Sequence, residues 1–114
     1  MRLLCCSVAE FQKVIEMAKY EWYVVTTKNP SKEKLSEIQK QLCKKYGGLT
    51  IIQNCKGLWL NHVGNIETDK VEIWRVLTNC IVLPSEAIKI GEQLKAITAQ
   101  DSQLFTCNDV PYFS

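Results

Sequence analysis

The side chains able to do chemistry are few and lie close together in the sequence. The single histidine, His62, follows Trp59-Leu60-Asn61, and the carboxylates Glu67, Asp69 and Glu72 come shortly after it. A nucleophile needs a Ser or Cys with a base in reach. His62 is the one histidine available, and no Gly-x-Ser-x-Gly elbow accompanies it. The carboxylates fall in and beside a turn, where they read as a solvated loop, so no catalytic residue is assigned. An enzyme built from this chain would have to draw on His62 and Arg75, with Asp69 or Glu72.

Arg75 is unusual because it stands within Val71-Glu72-Ile73-Trp74-Arg75-Val76-Leu77-Thr78, a strand-like run that is otherwise apolar on the arginine's side. A buried arginine requires an anionic partner. That partner is either an internal carboxylate such as Glu21 or a bound anion in an interface groove. Tryptophans 22, 59 and 74, with Tyr23, supply rings that line a groove or a subunit contact, or else fill the core. Trp59, Asn61, His62, Trp74 and Arg75 form the candidate ligand-contacting set.

Other constellations dissolve on inspection. Lys44-Lys45-Tyr46-Gly47-Gly48 has the residues of a phosphate loop in the wrong order: the glycines end a helix, whose C-terminus repels an anion. Six cysteines (Cys5, Cys6, Cys43, Cys55, Cys80 and Cys107) contain no C-x-x-C pair, and His62 is seven residues from the nearest of them. Metal sites of the finger type need closely spaced pairs. Neither a metal nor a cofactor is expected, and the cysteines read as small core residues.

The elements that must position these groups follow from periodicity. Trp22-Tyr23-Val24-Val25-Thr26-Thr27 is a strand. Leu35, Ile38, Leu42 and Tyr46 recur at helical steps after Pro30, with Asn29 or Ser31 as cap and Gly47-Gly48 as stop. Leu49 to Leu60 and Val71 to Thr78 are the arms of a long hairpin joined by a polar link over 62–70, with a bulge or bend expected at Gly57. Ser85 caps a second helix with the stripe Ala87, Ile90, Gly91, Leu94 and Ile97, and residues 103–107 are a last strand. Ahead of these, Ser7-Val8-Ala9-Glu10 has the form of a capping box, and Phe11, Val14, Ile15 and Ala18 predict a leading helix that fades near Tyr20.

This order predicts an α+β, ferredoxin-like βαββαβ antiparallel sheet with helices on one face, plus an N-terminal helix. The 114 residues suit one domain: a helical extension over 1–20, a core over 21–108 and a tail over 109–114 that covers a sheet edge. Hydrophobic content of 46% and charge of 23% match an ordinary soluble globular chain, and a net charge of +2 argues against a nucleic-acid binder. No apolar run is long enough to span a membrane, and the first one stops at Ser7, short of a signal peptide. The expectation is a cytoplasmic protein.

Tyr46-Gly47-Gly48-Leu49-Thr50, Lys56-Gly57-Leu58-Trp59-Leu60-Asn61 and Gln100-Asp101-Ser102-Gln103-Leu104 together resemble a group of small ferredoxin-like proteins of bacteria, phages and mobile elements. The resemblance spans about residues 22–107. It implies the same fold and brings no catalytic residues with it.

Because the third strand carries large apolar side chains on both faces, its second face calls for a cover, which is the leading helix, the tail or another subunit. The functional expectation is therefore a non-enzymatic homo-oligomer. It would hold a small anionic ligand such as a nucleotide signal at subunit interfaces, as an inhibitor of host defence would. The alternative is a protein that engages a host protein through an exposed sheet edge.

Overall fold

The computed structural model describes residues 18–78 and 84–113. In chain order these form β1 (Ala18–Val25), α1 (Lys32–Tyr46), β2 (Thr50–Leu60), β3 (Ile66–Thr78), α2 (Pro84–Thr98), β4 (Leu104–Cys107) and β5 (Val110–Phe113). The strands make one sheet in the order β2-β3-β1-β4-β5, every neighbouring pair antiparallel. The first four strands give the ferredoxin-like arrangement, and the tail adds β5 outside β4.

Period-2 alternation sorts each strand into two faces. Across the centre, Trp22 pairs with Trp74 of β3 and with Phe105 of β4, so three large rings share one face. All three are fully buried, together with Tyr20, Val24 and Val76. Both helices lie on this face. α1 contributes Leu35, Ile38 and Leu42, and α2 contributes Ala87, Ile90 and Leu94. The Trp22 indole nitrogen donates to the Ala87 carbonyl at 3.2 Å, so the polar atom of the central ring is satisfied by α2. Trp22 also stacks on Phe105 at 6.4 Å and on Tyr20 at 6.0 Å between centroids.

The helix ends follow local chemistry. Ser31 is the N-cap of α1, its hydroxyl accepting from the Lys34 amide, and Gly47 closes the helix at φ +88°, its amide donating to Cys43. α2 begins at Pro84, so proline takes the first helical position and Ser85, expected as the cap, lies inside the first turn.

Three further expectations need correction. The bulge lies at Gln53–Asn54, where the register shifts between Ile52 and Cys55, and Gly57 pairs regularly with Asp69. Asn54 absorbs the irregularity at φ +62°, a conformation asparagine tolerates better than most residues. β3 starts at Ile66, five residues before its predicted start, because Glu67 to Lys70 pair with Lys56 to Trp59 although their side chains are polar. β1 starts at Ala18, so residues 18–20 are strand rather than the end of a leading helix. The rest of that expected helix, with Cys5 and Cys6, lies outside the described residues. Among those that are described, no helix is long and apolar enough to cross a membrane.

The central ring should dominate stability. Trp22→Ala is expected to cost about 3–5 kcal/mol in urea denaturation. Trp59→Ala, at a half-exposed position, should change stability by no more than about 1 kcal/mol.

Candidate functional site

The second face of the sheet carries no helix of the described chain and divides into two halves. One half is an ion pair. Glu21 of β1 lies opposite Arg75 of β3 and Thr106 of β4. Arg75 Nε and Nη2 both reach Glu21 Oε2 at 2.7 Å, and the Thr106 hydroxyl donates to Oε1 at 3.4 Å. The Glu21 side chain is only 8% exposed, whereas that of Arg75 is 37% exposed. Of the two partners the sequence allowed for Arg75, the structure supplies the internal carboxylate.

The other half is a groove of about 610 Å³. Its apolar floor comes from Tyr23 and Val25 of β1, Val71 and Ile73 of β3, Leu104 of β4 and Phe113 of β5. One wall is the β2–β3 hairpin, with Cys55, Gly57, Trp59, Glu67 and Asp69. The other wall is the link after α2, Gln100-Asp101-Ser102, with Lys28 beside it. A Cβ at Gly57 would lie 3.3 Å from Val71 Cγ2, so a side chain there would crowd the floor. Burial, with Glu21 adding to it, pushes the Tyr23 phenol above its ordinary range.

Backbone and side-chain bonds fix the rim. The Lys28 ammonium donates to the Ala99 carbonyl at 2.9 Å, tying the β1–α1 turn to the end of α2. The Gln103 amide nitrogen donates to the Tyr23 carbonyl at 2.6 Å, tying the link to β1. The Thr27 hydroxyl donates to Asp69 Oδ1 and accepts from the Lys70 amide, both at 2.8 Å. Three carboxylates (Glu67, Asp69 and Asp101) against two lysines (Lys28 and Lys56) line this groove. That balance weighs against the anionic ligand expected from sequence.

Of the five candidate ligand-contacting residues, Trp59 lines the groove. Trp74 does not: it is fully buried on the helix face, its indole nitrogen donating to Glu72 Oε1 at 3.0 Å. Arg75 is committed to Glu21. Asn61 builds the hairpin turn, its Oδ1 accepting from the Val63 and Asn65 amides and its Nδ2 donating to Glu67. His62 is exposed in that turn. At about 3.4 Å per strand residue, the length of β3 puts Arg75 roughly 30 Å from the turn. Within one chain, His62 and Arg75 therefore share no site. Among the described residues, no three His, Cys, Asp or Glu side chains group so as to hold a metal ion.

Apart from Trp59, and Tyr23 among the rings expected to line a groove, the groove residues carry no local signature, yet a signal for them exists. Two of the stretches carrying the sequence resemblance, 56–61 and 100–104, supply opposite walls of this groove. The hairpin itself leaves Leu58, Trp59, Leu60, Val63 and Ile66 each more than half exposed.

The chain matches no family model and no curated protein. Solved structures do share its fold. A phage SAM lyase in complex with S-methyl-5'-thioadenosine is similar with a TM-score of 0.65 at 10% identity, over 87% of this chain and 89% of the other. CutA1 from Oryza sativa gives 0.54 at 15% identity over 84% and 79%. A divalent cation tolerance protein (Cut A1) from Thermus thermophilus gives 0.55 at 17% over 82% and 84%. At these identities the likeness establishes the α+β, ferredoxin-like architecture.

The ion pair generates a double-mutant test. Arg75→Met leaves Glu21 without its cation and is expected to cost about 1–3 kcal/mol, tempered by the arginine's exposure. Adding Glu21→Leu should recover most of that loss in denaturant titrations. Equal stability of wild type and Arg75→Met would show that the pair contributes nothing.

Proposed function

We propose that this chain is a small-molecule binding protein that takes a nucleoside derivative in the groove on the sheet face opposite α1 and α2 and works as a homo-oligomer. The observation that carries the reading is the groove itself: an apolar floor with aromatic rings at its margins and hydrogen-bonding groups on both walls. Such a surface suits a flat base joined to a hydroxylated sugar. Tyr23, Trp59 and Phe113 offer rings for the base, and the walls offer Asp69, Asp101, Ser102 and Gln100 for the sugar. The phage SAM lyase of the same fold, with S-methyl-5'-thioadenosine bound, supports a thioadenosine-type ligand. The excess of carboxylates favours this uncharged nucleoside over a nucleotide.

Assembly is supported by the hairpin. Five large apolar side chains between Leu58 and Ile66 stand exposed beside the groove, a concentration that monomers rarely leave in water. A second copy would cover the ribbon on the face that carries Leu58, Leu60 and Ile66, opposite the face of Trp59 and the groove. In a phage or mobile element, such a protein would withdraw a nucleoside-type metabolite or signal from the host.

Isothermal titration should find S-methyl-5'-thioadenosine binding at micromolar Kd and AMP at least tenfold weaker. Trp59→Ala should lose roughly tenfold in affinity with the fold intact. Native mass spectrometry should show an oligomer that Leu60→Lys with Ile66→Lys reduces to monomer. A wild-type monomer that binds no nucleoside would overturn the proposal.

A further inference from the structure

Asp69 is the groove's most constrained carboxylate. It is partly buried, and across the strand pair its register partner is Gly57, which has no side chain to fill the space between them. One oxygen, Oδ1, receives the Thr27 hydroxyl at 2.8 Å. That hydroxyl in turn accepts the Lys70 amide, also at 2.8 Å. A chain from backbone N–H through Thr27 therefore fixes the position of Oδ1 and leaves Oδ2 for a ligand. No lysine or arginine of the described residues pairs with it. The four-residue stretch Thr26–Asn29 is itself fixed, since the Thr26 amide donates to the Lys70 carbonyl and Lys28 to Ala99.

An ionised carboxylate accepts hydrogen bonds and donates none. Held at one oxygen and facing an apolar floor, it selects a ligand that brings donors to the other oxygen. Resting on the nucleoside reading above, we infer that Asp69 is the specificity residue for the ligand's sugar, accepting from the vicinal hydroxyls of a ribose, with Thr27 as its positioning residue. A carboxylate reading ribose hydroxyls is chemically established in dinucleotide sites. Here it would sit on a strand opposite a glycine, within a different architecture.

The test compares S-methyl-5'-thioadenosine with its 2'-deoxy and 3'-deoxy counterparts by isothermal titration against wild type, Asp69→Ala, Thr27→Val and Thr27→Ser. Wild type should prefer the ribose form roughly ten- to a hundredfold, the range for a hydrogen bond to a charged group. Asp69→Ala should bind all three nucleosides alike. Thr27→Val should lose part of the preference and Thr27→Ser should restore it, which general loosening of the loop would not reproduce. Wild type binding the ribose and deoxy forms equally overturns this inference and leaves the nucleoside reading standing. Failure to bind any of the three overturns both. A preference unchanged in Thr27→Val removes Thr27 from the role.

Discussion

The packing of Trp22 between Trp74 and Phe105 sets the parity of the whole sheet. Side chains alternate along a strand, so once these rings face the helices, Tyr23, Ile73 and Leu104 must face the other way. A slip of β1 by one residue would expose Trp22 and bring Glu21 beneath the helices, and the same slip in β3 would do so for Trp74 and Arg75. Burial of that order is worth several kcal/mol per ring, and it leaves one register. The indole bond to Ala87 then joins α2 to the same point. The composition of the second face is thus a consequence of the core.

That face solves its exposure in two ways. Where β1, β3 and β4 run together, Glu21, Arg75 and Thr106 form a cross-strand polar group that needs no further cover. Towards the other end of the strands the residues are apolar, and the sheet makes a groove instead. The difference lies in the walls. The hairpin and the link after α2 rise on either side of the floor, and Lys28, Gln103 and Thr27 tie them to β1 and its turn. A ligand would therefore enter a site whose walls are set before it arrives, which lowers the ordering cost of binding.

The helix face was legible in the sequence because burial there is periodic: Leu35, Ile38 and Leu42, or Trp22 and Val24, announce themselves. The site was harder to read for physical reasons. Arg75 and Trp74 attract attention as unusual residues, but the first is neutralised by a strand neighbour 54 positions earlier and the second is core. Asp69 and Glu67 look like loop residues because nothing about their polarity reveals that they pair across to Gly57 and Trp59. Gln100, Asp101 and Ser102 are ordinary link residues until the topology sets β4 beside β1. Pairing between distant segments is what local pattern does not encode.

The length of the hairpin follows from the same logic. β2 and β3 pair from Thr50–Arg75 to Leu60–Ile66, further than β1, which ends opposite Val71. Beyond that point no third strand of the described residues lies beside the ribbon, and two strands alone are marginal in water. Asn61 steadies the turn with three side-chain bonds, yet bonds within a turn do not cover Leu58, Leu60, Val63 and Ile66. A polar ribbon would have sufficed for a mere connection. Apolar residues on both of its faces, one of them Trp59 in the groove wall, are what the proposed function requires of the ribbon: the ligand on one side and a second copy of the chain on the other.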